Sequence, residues 1–171
     1  MCSFIFSTNT VVDLDKIITF NRRRGPDLTV RYKYHNYEFI HNLLSITGEF
    51  TKQPLIDDEY ITLFNGEIYN YKDINKAAKS DVYSIPSGFK EKGIKSFENL
   101  DGEFSILLYD IKENIIYICT DIFGTKPLYL NANFESRKEL MLSTYASVLR
   151  YAGHSNIKRV MKIGVLDLVK L

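Results

Sequence analysis

Residues 102–121 read GEFSILLYDIKENIIYICTD. Two runs rich in Ile, Leu, Tyr and Phe, 102–110 and 114–121, flank Ile111-Lys112-Glu113, and such a pair predicts a β-hairpin. Strand formers dominate on both sides of it. Upstream, YITLFNGEIYNY (60–71) has two β-rich runs around Asn65-Gly66, a dipeptide that taken alone signals a tight hairpin turn. Downstream, KPLYLN (126–131) and ELMLST (139–144) continue the pattern, and MKIGVLDLVKL (161–171) reads as one last strand.

Working outward to the N-terminus, CSFIFS (2–7) is a short apolar strand, and Tyr32 to Gly48 is again rich in strand formers. Helical spacing is confined to short stretches. Asp13 to Arg22 places Leu14, Ile17 and Ile18 on one face, with Asp13 as its N-cap. Lys72 to Lys79, Ser87 to Glu98 and Tyr145 to Tyr151 also read as helices, with Pro86 tolerable near the start of the second. Gly25-Pro26-Asp27 breaks the chain into a loop. The order is strand, helix, strands, helices, strands, helix, strand. It favours a layered α+β domain over an alternating parallel sheet.

The 171 residues suit one domain, 1–171, able to bury a core. A formal net charge of +1 gives no electrostatic case for nucleic acid or a membrane surface as partner. No apolar run approaches the ~18 residues that span a bilayer. MCSFIFSTNT lacks the basic flank and small-residue cleavage site of a signal peptide, so a cytoplasmic location is expected. Cys2 and Cys119 fit no zinc spacing and read as free thiols. Cys119 sits in an apolar run, as a small hydrophobe does. His35, His41 and His154 have no acidic or Cys neighbours at metal-ligand spacing, so neither metal nor cofactor is expected.

Cys2 carries a chemical possibility of its own. Removal of Met1 would leave a thiol and a free α-amine on one residue. The amine has an ordinary pKa of about 7.7–8.0, so it can take a proton near neutral pH. One residue would then supply nucleophile and base together.

The motifs occur in a defined order: MCSFIF, Arg24-Gly25-Pro26-Asp27, HNLLSITGE (41–49), QPL (53–55), FNGEIYNY (64–71), Ser80-Asp81, LDGEFSILLYD (100–110) and DIFGTKPLYL (121–130). This series resembles the class II (N-terminal-nucleophile) glutamine amidotransferases, and most closely the glutaminase domain of asparagine synthetase. The resemblance runs from Cys2 to the final strand. It implies a four-layer αββα sandwich of two antiparallel sheets. It also implies roles: Cys2 as nucleophile, with the Asn65 side chain and the Gly66 backbone N–H as oxyanion hole. Glu67, Asp81 and Ile46 would contact substrate, the two carboxylates holding its α-amino group. Arg24, Gly25 and Asp27 would shape the pocket. The substrate would be glutamine or a related small amide.

The chain departs from this pattern at Leu43, where the family has an arginine that clamps the substrate α-carboxylate. Leucine cannot pair with a carboxylate. This predicts weak glutamine binding, a different amide, or rescue by nearby Arg31 or Lys33. Smaller departures are Arg23, Ile122 and Ser143-Thr144. Asparagine synthetases also carry an ATP-binding domain with a Ser-Gly-Gly-x-Asp-Ser loop, which is not found in these residues. Ammonia would therefore go to a separate ATP-dependent synthetase chain. Three functions follow: a glutaminase acting through a Cys2 thioester, a binding or regulatory module without catalysis, and a hydrolase of another amide.

Overall fold

The computed structural model describes residues 1–9 and 13–170. Strand β1 (Ser3–Ser7) leads to helix α1 (Leu14–Asn21), then the antiparallel pair β2 (Leu28–Tyr34) and β3 (Tyr37–Leu43). A two-residue β4 (Leu55–Ile56) precedes the long β5 (Tyr60–Ile68), and helices α2 (Tyr71–Ile74) and α3 (Ser84–Lys92) follow. Next come β6 (Gly102–Asp110), β7 (Ile115–Thr120), β8 (Tyr129–Asn131), α4 (Phe134–Arg137), β9 (Met141–Ser143) and α5 (Ala146–Tyr151). Strands β10 (Ile157–Arg159) and β11 (Gly164–Asp167) close the chain.

The strands form two antiparallel sheets, ordered β10-β8-β9-β1-β3-β2 and β11-β7-β6-β5-β4. Alternation along each strand sorts the apolar residues into three layers of packing. Phe4, Phe6 and Phe39 of the first sheet meet Ile61, Leu63, Leu107 and Ile118 of the second, forming the central core. The opposite face of the first sheet, through Ile5, Ile40 and Met141, is covered by Leu14 and Ile17 of α1 and Val148 and Leu149 of α5. On the outer face of the second sheet, Phe64, Phe104, Ile106 and Leu108 are covered by Ile85 and Phe89 of α3. The result is the expected helix–sheet–sheet–helix sandwich.

The 102–121 hairpin forms as expected, pairing Asp110 with Ile115 and Ser105 with Thr120. Asn65-Gly66 does not turn. It lies inside β5, which runs unbroken beside β6 from Tyr60↔Asp110 to Ile68↔Gly102. Nine consecutive cross-strand pairs outweigh the local turn preference of one dipeptide. The helix expected over 72–79 shrinks to Tyr71–Ile74. The next begins earlier than expected, at Ser84, with Pro86 in its first turn, where the missing N–H costs nothing. It ends at Lys92, because Gly93 takes φ 59 and the chain continues as a 3-10 turn to Asn99. Asp13 does stand at the start of α1, but with φ 54 and no side-chain capping bond. Of the expected last strand, Gly164–Asp167 form β11, paired with β7, and Leu168–Lys170 form a 3-10 turn, while β10, paired with β8, precedes that segment and was not expected. Residue 171 of the expected final strand lies outside the described residues.

Candidate active site

The site lies where β4 stops. β4 pairs only with Ile61 and Thr62, so beyond that point one edge of β5 has no strand beside it among the described residues. Backbone N–H groups of alternate residues point off that edge. Phe64 N–H donates to Gln53 Oε1 at 2.8 Å, and Ile68 N–H donates to Asp81 Oδ2 at 3.2 Å. Gly66 stands between them with the same parity. Its cross-strand partner is Phe104, whose N–H and C=O both bond Asp121 instead of β5. The Gly66 N–H is therefore directed away from β6 and into a cleft.

Glycine is required at this position. Gly66 has φ 142, and a Cβ there would stand 2.0 Å from the Glu103 carbonyl oxygen and 2.6 Å from Phe104 Cα. Asn65, the neighbouring residue, is fully buried on the sheet-facing side of β5. Among the described residues, neither its Nδ2 nor its Oδ1 has a hydrogen-bond partner. Two orphaned polar atoms in a packed interior are costly, about 1–3 kcal/mol each, unless something else meets them.

Cys2 borders the same cleft, together with Leu43, Ile46, Gly66, Glu67 and Asp81. Its position follows from β1, whose Ser3 pairs with Asn42 of β3. The Cys2 Sγ accepts the Leu44 N–H at 3.3 Å and contacts Leu44 O at 3.5 Å. Burial pushes its pKa up, and the Leu44 hydrogen bond only partly offsets this. Such a thiol is not self-ionising and needs a base beside it. While Met1 is attached, the Cys2 nitrogen is an amide and cannot serve. Met1 also lines the cleft, its Sδ 3.1 Å from an Arg24 guanidinium nitrogen.

Asp81 is buried, and burial raises its pKa to about 6, aided by the Glu67 charge and opposed by the Ile68 and Val82 N–H groups. Glu67 and Asp81 thus form an acidic corner suited to an ammonium group. Arg24, Gly25 and Asp27 do not themselves line the cleft; Asp27 and Gly25 support the 42–45 segment, whose Leu43 and Ser45 do. Asp27 Oδ2 accepts the Ser45 N–H at 2.8 Å, and its own N–H donates to Leu43 O at 3.0 Å. Gly25 packs so closely that a Cβ would lie 2.1 Å from Asn42 O. Arg24 lies over the Tyr145 ring at 5.4 Å.

Rescue of the missing arginine by Arg31 or Lys33 is not what the structure shows. Both engage Glu38, at 2.6 and 3.0 Å, and Glu38 pairs with Ser7 at the far end of β1. Leu43 itself lines the cleft, and among the described residues the cationic side chain there is Lys126, its Nζ 2.7 Å from Glu103 Oε1. Lys126, Gln53 and Glu49 were not singled out in the sequence. Lys126 and Gln53 fall within the quoted GTKPLYL and QPL motifs, and Glu49 ends the HNLLSITGE run. That placement was the only signal available for them.

Two facing antiparallel sheets, helices outside, and a cysteine at the start of a central strand define an N-terminal-nucleophile hydrolase fold. Within that class, residues 1–165 match the glutamine amidotransferase domain family, and the chain belongs to it. It is similar to the glutamine-hydrolysing asparagine synthetase B of Escherichia coli, at 32% identity over 149 residues, 76% of this chain and 27% of that protein. It is also similar to the glutamine-hydrolysing asparagine synthetase 1 of Saccharomyces cerevisiae, at 32% identity over 133 residues, 72% of this chain and 23% of that protein. The chain thus spans about a quarter of the length of these relatives. Among solved structures, the glutamine phosphoribosylpyrophosphate amidotransferase of Bacillus subtilis shares the fold, with a TM-score of 0.58 at 14% identity over 98% of this chain and 43% of that one.

Proposed function

We propose that this domain, once Met1 is removed, hydrolyses glutamine to glutamate and ammonia through a Cys2 thioester. The observation that carries the reading is that Cys2 and the outward Gly66 N–H border one cleft, while the neighbouring Asn65, buried just behind that lining, has a side chain without a hydrogen-bond partner among the described residues. The freed α-amine takes the thiol proton. The thiolate then attacks the amide carbon, and the carbonyl oxygen gains negative charge met by Gly66 N–H and Asn65 Nδ2. The ammonium hands its proton to the departing nitrogen, which leaves as ammonia. Water, deprotonated by the same amine, attacks the thioester and releases glutamate. One oxyanion donor contributes about 10²–10³ in rate. Glu67 and Asp81 hold the substrate's ammonium group, and Lys126, its Nζ on Glu103, lines the same cleft. Ile46 also lines that cleft.

Ammonia released here would serve a synthetase reaction, a role in keeping with the names of the curated relatives. A cytoplasmic setting would keep both free cysteines, Cys2 and Cys119, reduced. Among the described residues, no helix is long and apolar enough to cross a membrane.

The test is ammonia release from glutamine by protein whose mass shows Met1 absent. Turnover that vanishes in Cys2→Ala supports the reading; an inactive processed protein, with or without a synthetase partner, sinks it. Leu43 favours a second reading, in which the substrate is an amide without an α-carboxylate. A panel of amides differing in that one group separates the two.

A further inference from the structure

Among the described residues, the edge of β5 that carries Gly66 has no neighbouring strand, yet its backbone is held by side chains. Gln53, buried, accepts the Phe64 N–H at 2.8 Å. His41 Nε2 lies 2.9 Å from the Phe64 carbonyl oxygen, and the histidine is fully buried. A carbonyl oxygen can only accept, so the proton of this bond sits on Nε2. The ring is then a neutral donor at Nε2 and a bare acceptor at Nδ1, which has no partner among the described residues.

His41 belongs to β3 of the first sheet and Phe64 to β5 of the second. β3 also pairs with β1, placing His41 opposite Phe4, two residues from Cys2. The contact therefore ties the strand adjoining the nucleophile's strand to the peptide just before Asn65-Gly66. On the far side of Gly66, Asp81 Oδ2 takes the Ile68 N–H. The glycine N–H is left as the open donor of a stretch otherwise pinned by side chains.

We propose that His41 and Gln53 are positioning residues. They clamp the Phe64 peptide groups in place of a missing strand, and so aim the Gly66 N–H and the Asn65 side chain at the oxyanion formed on Cys2's substrate. Neither touches the reacting atoms. Burial depresses the His41 pKa to about 4, so the imidazole stays neutral across the physiological range and the donor role persists. The clamp matters because oxyanion stabilisation depends on donors fixed within a few tenths of an ångström before charge develops.

The inference rests on the proposed amide hydrolysis, so the experiment has two arms. In the kinetic arm, His41→Leu in Met1-free protein lowers kcat by about 10²-fold, the cost of an ångström-scale misplacement, with KM little changed. His41→Gln, whose amide N–H can reach the same carbonyl, restores most of kcat. Gln53→Leu lowers kcat in the same way. Full kcat in His41→Leu, or loss through KM alone, overturns the clamp. The second arm needs no activity. Nitrogen-15 NMR of the imidazole at pH 7 is expected to show a protonated Nε2 and a bare Nδ1, and a protonated Nδ1 with bare Nε2 overturns the proposal. If processed wild-type protein turns over no amide, the hydrolysis reading fails, and the NMR arm still decides the clamp.

Discussion

Gly66→Ala separates the steric role of this glycine from its chemical one. The added methyl would sit 2.0 Å from Glu103 O and 2.6 Å from Phe104 Cα, both backbone atoms of β6 that no rotamer change can move. Relief requires β5 and β6 to part locally by on the order of 1 Å. Two costs add. Holding a non-glycine residue at φ 142 costs roughly 1–3 kcal/mol. Overpacking against a fixed neighbour costs roughly another 1–3 kcal/mol. Gly153→Ala is the control: its φ is 88, but a Cβ there meets nothing within 4 Å, so it carries only the backbone cost. In urea denaturation, Gly66→Ala should therefore be less stable than Gly153→Ala by about 1–3 kcal/mol. Displacing the Gly66 N–H by an ångström should also remove most of one oxyanion donor, lowering kcat for ammonia release by about 10²–10³. Gly153→Ala should keep wild-type kcat. The reasoning is refuted if the two variants match in both stability and kcat, because the N–H would then be neither tightly held nor used.

Other outcomes follow from the same geometry. Asp81, with its pKa raised to about 6, is ionised above that pH and protonated below it, so kcat/KM for an amine-bearing amide should fall as pH drops through about 6. Asp81→Asn should lower kcat/KM at neutral pH and remove that acidic limb; an unchanged profile would take Asp81 out of substrate binding. Leu43→Arg should raise glutamine affinity by about tenfold or more, since a charge-assisted bond contributes roughly 1.5–3 kcal/mol. Isothermal titration of Cys2→Ala protein measures it directly, and no gain would mean the substrate carboxylate does not face position 43. Ile122 and Phe123 are 84% and 81% exposed, so Ile122→Ser and Phe123→Ser should change folding stability by less than about 0.5 kcal/mol, as thermal melts can show.

Much of the fold is readable locally. The 102–121 hairpin and the β1 strand follow from residue type and length, and the loop at Gly25-Pro26-Asp27 follows from turn chemistry. Helix ends were less legible. Gly93 stops α3 by adopting φ 59, yet a glycine inside a polar stretch looks much the same whether it ends a helix or sits in one. Cys2 was identifiable by position and chemistry, because only the second residue can gain an α-amine by loss of Met1. Lys126 was hidden because a lone lysine in a strand-like run carries no mark of what it faces. Its place in the cleft depends on the turn tied to Asp121, which accepts the N–H groups of Phe123, Thr125 and Lys126.

What the sequence by itself determined is the set of parts: antiparallel strands from short β-rich runs, few and short helices, and a cysteine able to become an N-terminal nucleophile. What only the tertiary structure decided is how Asn65-Gly66 is held and where the Gly66 N–H points. The dipeptide's local preference is a turn, worth little against nine cross-strand pairs with β6. Once held extended, its direction is settled by distant residues. Asp121 occupies the Phe104 backbone, β4 ends early, and Gln53 and His41 take up Phe64. Hydrogen-bond parity then turns the Gly66 N–H outward toward the cleft that Cys2 borders. Partners so far apart along the chain leave no local pattern, because it is folding that brings their donors and acceptors within bonding distance.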